Sequence, residues 1–467
     1  MKRRSRLGLH KRRYRMPVLA AALSFIGFAV LAGPNVAGAD TSPWSQWVGG
    51  DTMTGDWGGL RAALLDHGLK ISGGYDAEGW GNITGGFERG AVYTGLLYVA
   101  LQLDLQKAMG WPGASFDTRW LWITGQDASR DLAGNFLTIS SIAGYNSVRA
   151  YELWLQQNWL DDAVSLRLGQ IAADTDFFVS KYASTFLNNT FGWPASMGSN
   201  LPGGGPGYPI GTLGVRLALN PVGWFTFQTA VFQGNVYPQN VNLHGFRWRL
   251  NGANGFFFLN EAQLRWNQRA EDTGLPGQFS AGAWYHTARF ARSDDAGSVR
   301  GNYGVYAMLD QMVYREPGEM AAPSAAPQSD GKKVAGATGA NGGAPVVKKS
   351  DQGLGVFGRI AYEPQDRNFI GLYFDTGLTY KGLIPTRDAD TIGVAFAYAQ
   401  LSSGAKRAAR AAGAVGASAE MALEATYQAQ ITPWLGVQPD LQYIINPGGS
   451  QDLDNALVLG CRVAVTF

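Results

Sequence analysis

The sequence predicts an all-β chain, a transmembrane antiparallel β-barrel of sixteen strands with a short N-terminal helix on its periplasmic side. Three observations predict it. The chain opens on an export signal, it carries many long strands with one oily and one polar face, and its last strand ends on Phe467.

The export signal comes first. Eight basic residues precede Met16: Lys2, Arg3, Arg4, Arg6, Lys11, Arg12, Arg13 and Arg15. The apolar stretch MPVLAAALSFIGFAVLA follows, and then Ala37-Gly38-Ala39 ahead of Asp40. That order of basic, oily and small residues marks a signal peptide, residues 1–39, cleaved after Ala39. An N-terminal anchor is the competing reading, but the oily stretch is barely long enough to span. Taking eight bases and no acids from 38 and 36 leaves 30 basic against 36 acidic residues. The exported chain is therefore acidic, and nothing in it points to a nucleic-acid partner. Its single cysteine, Cys461, cannot form an internal disulfide. Beyond the signal no apolar run approaches the ~20 residues of a spanning helix.

The two-faced strands come next. In EMALEATYQAQI, Met421, Leu423, Ala425 and Tyr427 alternate with Glu420, Ala422, Glu424 and Thr426. A period of two means a strand with unlike faces. The same alternation sets Leu97, Val99, Leu101 and Leu103 against Tyr98, Gln102 and Asp104, and recurs sixteen times between 69–81 and 456–467. The tenth strand is expected at 303–315 and the fifteenth at 434–446. Pro, Gly or Asp punctuates short connections such as GWPG (110–113) and TPW (432–434), while long polar stretches at 125–146, 173–208, 235–254 and 403–419 lie between other strands. Alternating short and long connections is the asymmetry of an outer-membrane barrel. Period alone does not separate this from a soluble sandwich, in which oily faces meet in a core. The export signal and the terminal Phe467 favour lipid, where a sheet must close because unpaired backbone is costly.

This reading divides the chain into the signal peptide, a periplasmic segment 40–68 and a barrel 69–467. Within 54–68, Leu60, Leu64 and Leu65 share one helical face and Gly68 supplies a stop. The segment 317–352 is a low-complexity insertion on the periplasmic side, where turns are normally short. Pro439 falls inside the fifteenth strand, where it removes a ladder hydrogen bond and could mark a bulge.

Several passages resemble the carbohydrate-selective porin OprB family: TGDWGGLR (54–61), SLRLGQIAADTDFF (165–178), GAWYHTARF (282–290), GNYGVYAMLDQMVYR (301–315), GLGVFGRIAYEPQDRN (353–368), YKGLIPTRDAD (380–390) and ITPWLGVQPDLQYIINPGG (431–449). The insertion 317–352 and the Ala-rich loop 403–419 depart from that pattern. The resemblance implies a sixteen-stranded porin that passes sugars such as glucose down their gradient through the outer membrane, each chain a complete pore able to stand as a monomer, with the oligomeric state left open. A final strand ending on Phe467 resembles the signal read by the barrel-assembly machinery. Lipid and lipopolysaccharide would surround the barrel.

Alternation places Arg167, Arg216, Arg265, Arg359, Lys381 and Arg462 inward, together with Asp104, Glu152, Glu261, Asp375, Glu420, Glu424 and Asp440. A mixed lining suits a neutral, hydroxyl-rich solute, whereas ion-selective pores show rings of one sign. Trp154, Trp224 and Trp284 are inward aromatics that could carry a sugar's C–H face. The stretch 172–209 is the longest outer connection and is expected to fold into the lumen, with Asp174 and Asp176 near a constriction; a loop outside the pore is the other reading. Arg119 is added although alternation breaks around it. The candidate pore-lining set is thus Arg119, Glu152, Trp154, Arg167, Asp174, Asp176, Glu261, Arg265, Asp375 and Glu424. No metal or cofactor is implied, and the motifs of nucleophilic or zinc hydrolases are absent, so no enzyme is expected. Two alternatives stay open: a porin for polyols or small organic acids, and a secreted β-rich binding protein without a pore.

Overall fold

Sixteen antiparallel strands pair with their sequence neighbours and close into a barrel. In the computed structural model, which describes residues 43–269, 272–292, 297–317 and 350–467, these are β1 (Leu69–Thr84), β2 (Gly90–Asp104), β3 (Ala114–Gly125), β4 (Ser147–Trp159), β5 (Val164–Ile171), β6 (Thr212–Val222), β7 (Phe225–Gln233), β8 (Phe256–Trp266), β9 (Gly277–Ala291), β10 (Ser298–Arg315), β11 (Gly353–Tyr362), β12 (Ile370–Lys381), β13 (Thr391–Leu401), β14 (Ala419–Thr432), β15 (Leu435–Ile445) and β16 (Ala456–Thr466). The export signal and most of the 317–352 insertion lie outside the described residues.

Closure is made by β1 against β16, from Gly74 opposite Thr466 to Thr84 opposite Leu457. The Phe467 N–H adds one more bond to the Gly73 carbonyl at 2.9 Å. No strand edge is left over, which is the condition for a sheet in lipid. The side chains settle the choice between sandwich and barrel. Outward residues such as Trp122, Val148, Leu168, Val215, Tyr285, Val305, Ile360, Val394, Leu423 and Leu441 are large, apolar and exposed. Inward residues such as Glu78, Arg149, Glu261, Arg359, Asp375, Glu420, Glu424 and Gln442 are polar and buried. A protein dissolved in water distributes these residue types the other way round.

The N-terminal segment carries helix α1 (Pro43–Val48), then a 3-10 turn and helix α2 (Leu60–Asp66). Gly68 ends it at φ +87°, a backbone conformation that glycine adopts without strain. Short-range contacts strap this segment to the closing strands. The Met53 N–H donates to the Thr466 carbonyl at 2.8 Å, Arg61 donates to the Phe467 carbonyl at 3.3 Å, and the Trp47 ring lies 4.6 Å from that of Trp434. These contacts define the short-turn rim. It also holds helix α3 (Leu105–Met109), whose first turn is capped by Asp104 accepting from the Gln106 and Lys107 N–H groups at 3.0 and 3.2 Å. Asp104 is therefore a helix cap at a turn and not an inward wall charge. Trp224 is also corrected: it stands exposed in the turn between β6 and β7. The strands that flank the insertion meet on this rim, Arg315 opposite Gly353.

The opposite, long-loop rim carries helix α4 (Ala195–Asn200) and helix α5 (Ser403–Ala411). Ser402 caps α5, its hydroxyl accepting from the Ala405 N–H at 3.0 Å. Two strand details differ from expectation. The tenth strand starts at Ser298, five residues early, because the register shifts beside Gly301 and lets a polar stretch join the ladder. Pro439 makes no bulge: it pairs with Cys461 in unbroken register. The gap falls on the other side, where pairing with β14 skips from Asp440 to Val437.

Candidate functional site in the lumen

Two long-rim connections, 126–146 and 172–211, fold into the barrel and attach to one half of its wall. The attachment runs through buried carboxylates that accept backbone N–H groups. Glu420 accepts from Phe136 at 2.9 Å, Leu137 at 2.6 Å and Gly448 at 2.6 Å. Glu424 accepts from Leu187 at 2.6 Å and Asn188 at 3.0 Å. Glu261 accepts from the Phe178 N–H at 2.8 Å and the Tyr306 hydroxyl at 2.7 Å, and Asp310 accepts from the Lys181 N–H at 2.8 Å. Arg359 works in the opposite sense. It pairs with Asp375, both side chains wholly buried, and donates to the carbonyls of Phe178, Thr190 and Gly192 at 3.3, 2.9 and 3.2 Å. An infolded loop has no ladder for its backbone groups, so charged wall groups supply the missing partners.

Apolar packing follows the same side. Phe178 stacks on Tyr306 with centroids 4.1 Å apart, and Phe186 and Phe191 lie 5.8 and 6.1 Å from Phe357. The loops thus cover the wall from β8 to β15 and reach β16 and β1, where Ser141 accepts from Arg462 at 2.7 Å and Ser140 donates to Glu78.

The other half, β3 to β6, keeps its charges near the passage. Arg119 faces Glu152 across the β3–β4 pair at 3.5 Å, and its side chain is still 34% exposed. Arg167 and Arg216 stand directly opposite each other on β5 and β6. Like charges in that position repel, and Asp176 from the base of the loop bridges them, at 2.7 Å to Arg167 and 3.3 Å to Arg216. Arg167 also donates to Gln156 at 2.9 Å and lies 4.1 Å from the centroid of the Trp154 ring. Asp174 accepts from the Tyr151 hydroxyl at 2.7 Å and the Tyr208 N–H at 2.6 Å. Burial raises its carboxyl above the usual range, against the pull of those two donors.

Six of the ten sequence-derived candidates therefore meet in one place: Arg119, Glu152, Trp154, Arg167, Asp174 and Asp176. Glu261, Asp375 and Glu424 stand on the far wall with their oxygens taken by the loops or by Arg359. Arg265 sits apart on β8, donating to Thr226 at 3.0 Å and Gln278 at 3.3 Å. Arg216 and Gln156 join the cluster although neither was in the candidate set. Arg216 was legible as inward, and its position opposite Arg167 required the register. Above the cluster, a cavity of about 220 Å³ opens among the loops, lined by Phe136, Asn189, Trp193, Ser199, Tyr208 and Gln239 among others.

A closed sixteen-strand barrel narrowed by infolded loops and lined by both charge signs is the architecture of a solute-specific porin. The family model for "Carbohydrate-selective porin, OprB family" matches residues 88–467. The chain belongs to that family. Porin B of Pseudomonas aeruginosa is 26% identical to it, over 91% of this chain and 92% of that protein. The high-pH structure of Pseudomonas putida OprB superposes with a TM-score of 0.73 at 25% identity, over 90% of this chain and 99% of that one. The low-pH structure of the same protein superposes at 0.53 with 21% identity, over 89% and 98%, and bears on the fold alone. Membership of the OprB family makes this chain an outer-membrane sugar porin.

Proposed function

We propose that neutral, monosaccharide-sized sugars such as glucose diffuse passively down the β3–β6 side of the lumen, and that Arg119, Glu152, Arg167, Arg216 and Asp176, with Trp154, form the selective constriction. One observation carries this reading: on that side Arg119, with a third of its side chain exposed, heads a cluster of both signs with Glu152, Arg167, Arg216 and Asp176, while Glu261, Glu424, Arg359 and Asp375 of the opposite wall are committed to the loops or to each other. Guanidinium forks donate to adjacent hydroxyls and carboxylates accept from them, so a neutral polyol finds partners that a simple ion does not need. Solute enters through the 220 Å³ cavity at the long-loop rim and leaves at the short-turn rim, which faces the periplasm. Closure of β1 on β16 within one chain supports each chain as a complete pore. Lipid and lipopolysaccharide lie against the outward apolar belt, and the strand ending on Phe467 addresses the assembly machinery.

Liposome swelling tests the proposal with sugars, amino acids and organic acids of matched size. Sugars are expected to enter fastest, and Arg119→Gln is expected to reduce that advantage. Equal swelling by all three classes would overturn it.

A further inference from the structure

Below the constriction the lumen contains a second cavity, of about 350 Å³, whose lining includes Leu65, Lys70, Gln102, Ser115, Asp117 and Trp154. Its volume falls within the ~300–1,000 Å³ range of small-molecule sites. Its polar groups are organised by the strand register. Lys70 stands opposite Gln102, Gln102 opposite Asp117, and Asp117 opposite Trp154, so four strands deliver one continuous row on the inward face. The row continues to Gly169, at φ +139°, where an added Cβ would lie 2.3 Å from the Leu153 carbonyl oxygen.

Two groups in this row are buried and unused. Asp117 is 2% exposed, and neither of its carboxylate oxygens has a hydrogen-bond partner among the described residues. The Trp154 indole nitrogen has none either. Elsewhere in this lumen Glu261, Glu420 and Glu424 commit both oxygens to protein donors; Asp117 commits neither. A buried carboxylate without donors is costly, and the cost is relieved by a solute that brings hydroxyl groups.

We propose that this row is a second carbohydrate subsite, an exit site that receives a neutral sugar after it passes Arg119 and Glu152. Asp117 only accepts, the indole N–H only donates, and the Gln102 amide does both. That combination suits adjacent hydroxyls, which act in both senses. An anionic solute would face Asp117 and a cationic one Lys70. The site lies two residues along β3 from Arg119, roughly 7 Å at the rise of an antiparallel strand, so one pyranose can step from one pair of carboxylate and donor to the next. Its floor is α2, through Leu65. The inference rests on the constriction reading and extends it toward the periplasm.

Glucose-induced current noise in single channels, with the full exported chain, tests both readings separately. The intact protein is expected to show two glucose-occupancy components. Asp117→Asn is expected to remove one, and Trp154→Phe, which keeps a ring beside Arg167 but loses the N–H, to shorten the same component roughly threefold, the size of one neutral hydrogen bond. Arg119→Gln is expected to remove the other. Heat-modifiable gel migration identifies folded barrels before recording. Two unchanged components in both Asp117→Asn and Trp154→Phe, or a single component abolished by Arg119→Gln alone, overturn the exit site and leave the constriction standing. Loss of neither component in Arg119→Gln with loss of one in Asp117→Asn does the reverse. Absence of any glucose-dependent noise in the intact protein overturns both.

Discussion

The β8–β15 wall and the β3–β6 wall carry the same kind of sequence, inward residues at every second position with several charges among them, and use those charges for different ends. On the first wall, Glu261, Asp310, Glu420 and Glu424 receive loop N–H groups, and Arg359 with Asp375 holds loop carbonyls in a wholly buried pair. On the second, Arg119 keeps a third of its side chain open and pairs with Glu152 at 3.5 Å. The difference lies in what lies opposite. A charge covered by a loop becomes a structural anchor; on the proposed reading, a charge left facing the passage stays available to solute. Alternation determines which way a residue points, and the loops determine what it can do there.

The largest effect expected from breaking this contrast is at Arg359. Arg359→Ala strands the Asp375 carboxylate and releases three loop carbonyls, so stability should fall by about 3–5 kcal/mol, as when one partner of a buried pair is lost. Chemical unfolding in detergent measures the loss, and single-channel conductance should rise as the loop leaves its wall. Glu424→Ala removes the acceptor of two N–H groups and should cost about 1–3 kcal/mol, with a smaller rise in conductance. Unchanged conductance in both variants would separate the loops from the narrowing.

A third test uses pH at the long-loop rim. Glu363 is buried beside Ser196, and burial pushes its carboxyl up to about 8 against the pull of that hydroxyl. A raised acid favours the folded state while neutral, and that advantage is lost as pH climbs from the ordinary carboxylate value through about 8. The thermal midpoint should therefore decline over that interval, and Glu363→Gln should flatten the decline. The smallest effect on stability is expected at Arg119→Gln, because Arg119 keeps a third of its side chain exposed and the glutamine amide can still donate to Glu152. That variant should instead lower the preference for sugars in liposome swelling. A large stability loss would mean that the pair is an anchor like those of the other wall.

Much of the fold was legible because a period of two is imposed directly by strand geometry, residue by residue. Fourteen strand starts lie within about three residues of their expected positions; β7 begins four residues late, at Phe225, and β10 begins early because Ser298-Val299-Arg300 has no apolar alternation and joins the ladder past a register shift at Gly301. The site was legible in part. Asp174 and Asp176 were placed at a constriction because a long polar connection after β5 had to go somewhere, and Arg167 because alternation turned it inward. The same rule makes Glu261 and Glu424 solute-facing. Their partners are backbone N–H groups of Phe178, Leu187 and Asn188, which have no side-chain signature and lie as many as 237 residues away in sequence. Arg216 needed the register opposite Arg167, and Asp117 needed the cavity.

Cysteine accessibility tests the division of the lumen most directly. Ser115→Cys and Ala397→Cys are both small changes at inward positions, one lining the lower cavity and one fully buried under the loops; the native Cys461 is buried. With a hydrophilic thiol reagent added to open channels, the Ser115→Cys protein should be modified quickly and lose current, while Ala397→Cys should stay unmodified. Equal rates, or faster reaction at position 397, would contradict a passage confined to the β3–β6 side.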